Sequence, residues 1–258
     1  MIKLSVVIIT YNEEKNLARC LISLKEVADE IIVADSFSTD NTKKIANSYN
    51  ANVVDQEFLG FGAQKNFATA YASNDWILSL DADEALSPEL RKSIQAIKQQ
   101  PAFDVYEMTR LTKYCGQWIR HSGWYPDKQT RLYNRTKGKW IEKKVHEFWK
   151  PDNDEKTGLL SGDLLHYSYS SISEHLKKIE KYTELGAIDA VINGKEVSIL
   201  KMLFSPFWHF FYEYFIRRGF LDGFNGYVIC KLSAYAAFSK CTKIRLYSKQ
   251  GKSVQTVK

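Results

Sequence analysis

DWILSLDADEAL, residues 75–86, carries a tryptophan, an isoleucine and two leucines, then releases three acids within four residues: Asp81, Asp83 and Glu84. An apolar run of this length, bounded by polar residues, reads as a strand buried on both faces. The acids at its end repel one another unless something positive lies among them. The same strand pattern precedes it three times, in KLSVVIIT (3–10), EIIVAD (30–35) and ANVVD (51–55). Helical stretches separate these strands. One starts near Glu13 with Leu17, Cys20, Leu21 and Leu24 on one stripe, and two more cover 39–50 and 62–72. Ser87-Pro88-Glu89 starts a fourth, with serine as cap, proline in the first turn and an acid at the positive dipole end. Strands alternating with helices predict an α/β fold built on a doubly wound, mostly parallel sheet. Ligands of such sheets bind beyond the carboxyl ends of the strands.

Those ends are polar. Thr10, Tyr11, Asn12 and Glu13 follow the first strand, Asp35, Ser36 and Ser38 the second, and Asp81, Asp83 and Glu84 the fourth. No glycine-rich phosphate loop is present. A site this rich in carboxylates admits a phosphate only behind a cation. Asp-x-Asp places two carboxylates on one loop, and Mg²⁺ or Mn²⁺ takes oxygen ligands and bridges carboxylate to phosphate. The plainer alternative is a solvated turn, and for Asn12 a helix cap. Position at the end of a buried strand, opposite two other polar strand ends, favours a site.

From Phe103 to about Leu165 the strands DVYEMTRLTKY, KQTRLYNR and KWIEKKVHEFW have mixed polarity, which predicts an extension of the sheet and an acceptor-binding wall. Ser171-x-x-Glu174 fits a capping box at the start of a long helix that Gly194 ends. Residues 1–165 are thus expected to form a catalytic domain, with 1–100 as its nucleotide-binding half and 101–165 as its acceptor half. Residues 166–258 form a helical extension. Four distant cysteines read as reduced thiols, and the N-terminal apolar run is too short for a signal peptide.

The net charge of +6 is concentrated at the end of the chain, where Ser198 onward holds ten Lys and Arg against two acids. A basic tail suits an anionic membrane surface or a nucleic acid. ILKMLFSPFWHFFYEYFIRR (199–218) is too interrupted by Lys201, Pro206, His209 and Glu213 for a membrane span. Lys201, Ser205, His209, Glu213 and Arg217 recur every fourth residue, one polar stripe among aromatics, as in a helix lying in a bilayer interface. Arg217, Arg218, Lys240, Lys243 and Arg245 are the cations for lipid headgroups. The alternative is that Phe204, Phe207, Phe210 and Phe211 pack as ordinary core. These aromatics are too dense for a solvated nucleic-acid groove, so no nucleic acid is expected. Gly219, Gly223 and Gly226 predict a second helix packed closely on the first.

SVVIITYNEEKNL, IIVADSFSTDNT, GFGAQKN, WILSLDADE, GWYPDKQTRLYNR and VHE, in this order, resemble glycosyltransferase family 2. LLHYSYSSISEHLKKIEKYT and GFLDGFNGY are similar to its lipopolysaccharide-core, β-glucosyltransferase-like branch. The resemblance implies a GT-A fold, inverting transfer, a nucleotide-diphosphate sugar donor with uridine preferred, and Mg²⁺ or Mn²⁺. It also implies a lipid-linked saccharide acceptor such as lipopolysaccharide inner core, met at the cytoplasmic face of the inner membrane. It assigns Glu13 and Asp35 to the nucleoside, beside Thr10 and Tyr11, and Lys65 and Asn66 to the donor pocket. Asp81 goes to the nucleotide sugar and, with Asp83, to the metal.

An inverting displacement needs one carboxylate base for the acceptor hydroxyl and no second carboxylic acid. Glu147 in VHE and Asp127 in WYPD are the candidates. Glu147 is preferred because it follows a short apolar strand, with His146 beside it to position an acceptor or phosphate. Asp127 follows Pro126 in a turn, where aspartate is common for backbone reasons alone. Arg131 holds a phosphate or forms a surface pair. Two other readings compete. A sugar nucleotidyltransferase usually opens on a basic, glycine-rich loop where this chain has TYNEEKN. A non-catalytic membrane-bound module would carry a damaged acidic motif.

Overall fold

The computed structural model describes residues 1–141, 148–152 and 156–249. The chain divides into two compact units, 1–112 with 126–168, and 113–125 with 169–258. The second unit therefore includes a short segment, 113–125, that lies within the catalytic part expected from sequence.

In the first unit the expected alternation is present: β1 (Leu4–Thr10), α1 (Leu17–Ser23), β2 (Glu30–Asp35), α2 (Thr42–Ser48), β3 (Asn52–Asp55), α3 (Phe61–Ala70) and β4 (Trp76–Asp81). Then come β5 (Glu84–Leu86), α4 (Pro88–Gln99), β6 (Val105–Tyr114), β8 (Asp127–Asn134), β9 (Gly138–Ile141), β10 (Phe148–Pro151) and β11 (Thr157–Tyr169), with β7 (Gln117–Trp118) in the segment that belongs to the second unit. Among the described residues nine strands form one sheet in the order β3-β2-β1-β4-β8-β6-β11-β5, with β7 pairing with β6. β3, β2, β1 and β4 pair in parallel. β4–β8, β8–β6 and β11–β5 pair antiparallel, so the sheet is mixed rather than mostly parallel. Parallel neighbours need a crossover helix, and after α4 no strand is followed by one until the sheet is complete.

Period-two alternation along β1 sends Leu4, Val6 and Ile8 to one face, against α1, α2 and α4, and Val7 and Ile9 to the other, against Ala68 and Ala72 around α3. Both faces are buried, so these strands read as unbroken apolar runs. Ser87 caps α4 as expected, accepting from Leu90 N at 3.1 Å with Pro88 next in line. The stretch KWIEKKVHEFW is not one strand. β9 and β10 pair antiparallel with Trp149 opposite Trp140, and residues 142–147, including His146 and Glu147, lie outside the described residues.

The second unit holds α5 (Ile172–Ile192), α6 (Ile199–Phe211), a π turn (Tyr212–Ile216), a 3-10 segment (Gly219–Asp222) and α7 (Gly223–Lys249). Ser171 caps α5, accepting from Glu174 N at 3.2 Å. The reciprocal half of the box is displaced by one residue, because the Glu174 carboxylate accepts from Ser170 N and Oγ. Gly194 follows α5 at φ +68°, the left-handed geometry that suits glycine. Pro206 lies inside α6 without ending it. The close glycine contact joins Gly226 of α7 to Gly219 of the 3-10 segment, not helix to helix: a Cβ on Gly226 would collide with the Gly219 carbonyl oxygen. No helix among the described residues is long and apolar enough to cross a membrane.

Candidate active site

Strand register brings the predicted residues to one level. Thr10 of β1 pairs with Asp35 of β2, and Ile9 pairs with Asp81 of β4. Asp35 is fully buried and is held by the loop that follows it: Ser38 donates from N at 2.7 Å and from Oγ at 2.6 Å. Asn12, at φ +53°, does not cap a helix. Its side-chain Oδ1 accepts from Thr39 N and its backbone N–H donates to Ser38 Oγ, both at 2.8 Å, so it ties the loop after β1 to the loop after β2. Glu13 N donates to Thr42 Oγ1, and the Glu13 carboxylate accepts from Asn16, the residue that precedes α1. Tyr11 is exposed.

Two buried polar atoms in this corner have no hydrogen-bond partner among the described residues: the hydroxyl of Thr10 and Oε1 of Gln64, whose Nε2 reaches Ser36 Oγ. Buried polar atoms are rarely left unpaired, and a ligand would satisfy these two. Of the two α3 residues predicted to line the donor pocket, Lys65 is fully buried and lies 3.3 Å from Asp81, its ammonium 4.6 Å from the Trp140 ring centre. Asn66 clasps the Trp140 backbone, donating to its carbonyl and accepting from its N–H.

The acidic turn holds its own cations. Arg131 of β8 donates to Asp81 Oδ2 at 2.9 Å and to Glu84 Oε1 at 2.8 Å. Arg110 of β6 reaches Glu84 at 3.4 Å and Asp127 at 2.8 Å. Glu84 is fully buried and also accepts from Asp81 N. Burial pushes the Asp81 carboxyl up, but Lys65 and Arg131, helped by Arg110 and His166, outweigh it and hold Asp81 well below the usual carboxylate range. Arg131 is thus not a surface residue; it is the buried link between two of the three acids. Beneath them, burial and then Glu84, Asp83 and Asp81 raise the Cys20 thiol well above its ordinary range, which keeps it protonated and inert.

Asp83 has a different partner. Its carboxylate lies 3.3 Å from His166 Nε2 on β11, and His166 Nδ1 meets Thr112 Oγ1 at 3.2 Å. Among the described residues no three metal-ligating side chains converge. One carboxylate and one imidazole, with the second ring nitrogen fixed by a hydroxyl, nonetheless form a mixed oxygen and nitrogen donor pair that would contribute to holding Mg²⁺ or Mn²⁺. The sequence reading missed His166. The only signal was its place in LLHYSY, a residue of the right chemistry in an alternating strand. Of the two candidate bases, Glu147 lies outside the described residues. Asp127 accepts at one oxygen from Arg110 and at the other from Gln129, at 2.8 and 2.7 Å.

Residues 5–150 match glycosyl transferase family 2. The chain belongs to that family. It is an inverting glycosyltransferase, and its fold is a mixed α/β sheet followed by helices. It is 36% identical to an uncharacterized glycosyltransferase of Rickettsia prowazekii, over 99% of this chain and 91% of that protein. It is 30% identical to the lipopolysaccharide core biosynthesis glycosyltransferase LpsC of Rhizobium meliloti, over 93% of this chain and 91% of LpsC. Among solved structures it is similar to residues 1–349 of TarS from S. aureus, with a TM-score of 0.47 and 16% identity, covering 98% of this chain and 93% of that one.

Proposed function

We propose that the chain moves a sugar from a uridine-diphosphate sugar to a lipid-linked saccharide of the lipopolysaccharide inner-core type, at the cytoplasmic face of the inner membrane, with Mg²⁺ or Mn²⁺ as cofactor. The observation that carries the donor site is the level row of Thr10, Asp35 and Asp81 at the ends of three parallel strands, where two buried polar atoms lack partners among the described residues. The similarity to LpsC along nearly the whole chain supports the acceptor class.

Each residue has a part in the reaction. Asp35 and Glu13 bind the nucleoside; the Ser38 contacts pre-position Asp35 for this. Asp81 contacts the nucleotide sugar, oriented by Arg131 and Lys65. Asp83 and His166 hold the divalent cation, which when bound supplies Lewis-acid stabilisation of the leaving diphosphate. The acceptor hydroxyl loses its proton to a carboxylate as it attacks. Glu147 takes this role in our reading, because both oxygens of Asp127 are already engaged. A sugar nucleotidyltransferase would need basic groups to receive a triphosphate at the end of β1, where the side chains are Thr10, Tyr11, Asn12 and Glu13.

A panel of nucleotide sugars with Mn²⁺, read by thermal shift, tests this, since a ligand bound only by the folded state raises its Tm. A uridine-diphosphate sugar should stabilise the chain more than guanosine or cytidine counterparts, and only with the metal. Stabilisation by none of them, or equal stabilisation without metal, would overturn the reading.

A further inference from the structure

Helix α6 is predominantly apolar, yet none of its residues is buried. Phe204, Phe207 and Trp208 are 65%, 77% and 61% exposed, and Phe224 at the start of α7 is 75% exposed. Scattered exposed apolar side chains are ordinary; a connected set of large rings is not. Trp208 opens such a set, and Phe204, Phe207 and Phe224 add exposed rings on the same helices. Trp208 touches Phe211, Phe211 touches Phe215, Phe215 touches Tyr214 and Tyr214 touches Phe220, with centroids 5.1–6.1 Å apart.

The side of α6 that is partly covered carries Met202, Ser205, Pro206 and Phe210. The polar stripe expected to face outward is therefore split, with Ser205 and Glu213 turned partly inward and the rings turned out. Phe204, Phe207 and Phe211 are not core.

The charges of this surface have one sign. Its two acids are withdrawn: Asp222 is buried and accepts from the backbone N–H of Arg120 and His121, and Glu213 is half-buried. Lys201, Arg217 and Arg218 stay exposed. Of the other cations expected to serve a membrane, Lys243 is spent on Glu180 and Glu184, and Arg245 donates to the Val197 carbonyl.

We infer that the exposed rings of α6, the π turn and the start of α7 dock on an anionic lipid bilayer, sinking to headgroup depth while Lys201, Arg217 and Arg218 meet lipid phosphates. The chemistry selects this occupant. Trp, Tyr and Phe beside Arg suit the membrane interface. A second copy of the chain on the same face would set these cations against themselves. An acidic protein would meet the cations but would need its own large apolar face for the rings. Membrane location is part of the proposed function; the surface and its residues are what is added here, and they stand without the chemistry of transfer.

Flotation of the full chain with phosphatidylcholine vesicles, with and without phosphatidylglycerol, tests the surface. Binding is expected only with the anionic lipid and should fall as salt rises. The triple variant Phe204→Ser, Phe207→Ser, Phe224→Ser should stay in the unbound fraction. Arg217→Gln with Arg218→Gln should weaken partitioning roughly thirtyfold. All five side chains are exposed, so circular dichroism and Tm should match the wild type. Wild-type chain that does not float, or a triple-serine variant that floats as well as wild type, overturns the inference. So does a concentration-dependent dimer that the serine substitutions dissolve, because a second copy would then cover the face. Thermal stabilisation by a uridine-diphosphate sugar with Mn²⁺ should be unchanged in every variant, so a failure here is separable from a failure of the donor site.

Discussion

Arg131 donates to the fully buried Glu84 at 2.8 Å, and the same nitrogen reaches Asp81 at 2.9 Å. One guanidinium therefore neutralises an acid that never meets solvent and orients another that lines the candidate site. Truncating one partner of a buried pair leaves the other charge uncompensated. Arg131→Met should cost about 3–5 kcal/mol in urea unfolding, and adding Glu84→Gln should recover part of it. No recovery would mean that Arg131 is held for its packing alone. Asp81, held low by its cations, contributes stability that is present above its ordinary value of 3.8 and is lost as pH falls below it.

Asp83→Asn should abolish transfer and the metal-dependent part of nucleotide-sugar stabilisation, with Tm in the absence of ligand changed little. The measurement is thermal shift with and without Mn²⁺. His166→Ala should do the same to a smaller degree, about 10–100-fold in metal affinity if it acts only as the weaker ligand. An Asp83→Asn variant that still transfers sugar removes the metal from that turn.

Glu147→Gln should lower kcat by about 10²–10⁴ while leaving donor affinity nearly unchanged. Asp127→Asn should lower it less and should also lower Tm, because Arg110 loses a partner. Steady-state kinetics on the two variants decide between them, and the reverse order of effects would make Asp127 the base.

Two groups in the second unit, buried His175 and half-buried Glu213, give opposite pH dependences. Burial, with Lys178, lowers His175 to about 4, so the folded state keeps it neutral. Its contribution is present above 6.5 and is lost as pH falls towards 4. Burial, partly offset by Ser233, raises Glu213 to about 7. Its contribution is full below 4.5 and is lost as pH rises through 7. Glu213→Gln should flatten the loss of stability between pH 4.5 and 7, measured by urea unfolding at stepped pH. An unchanged pH profile would show that Glu213 is not what titrates.

The Gly219–Gly226 contact predicts that Gly226→Ala destabilises by about 1–3 kcal/mol, as overpacking does. Gly223→Ala would meet no atom within 4 Å and should be felt only through its φ of +61°.

Much of the parallel half was legible because strands buried on both faces announce themselves as unbroken apolar runs, and their polar ends then fall at one level. Thr10, Asp35 and Asp81 were found that way. Arg110 and His166 were not, and Arg131 was named without its acidic partners, because each reaches the acids from β8, β6 or β11 across the sheet, and a basic residue in a mixed-polarity strand carries no mark of the acid it will meet. For the same reason Glu84 read as one more member of an open acidic cluster, although it is buried under two guanidiniums. Asn66 and Asn12 were legible as polar residues at the right places, but side-chain amides serve backbone and ligand equally well, and only the fold shows which. The stripe on α6 was legible as a period but not as a direction, since periodicity does not tell which side packs.

The most direct test of the donor site is a crystal soaked with uridine diphosphate and Mn²⁺, examined for anomalous scattering. A manganese peak bridging Asp83 and His166 to the diphosphate, with the nucleoside against Asp35, is the predicted result. A nucleotide bound away from the ends of β1, β2 and β4, or a metal peak that leaves Asp83 and His166 untouched, would contradict the account.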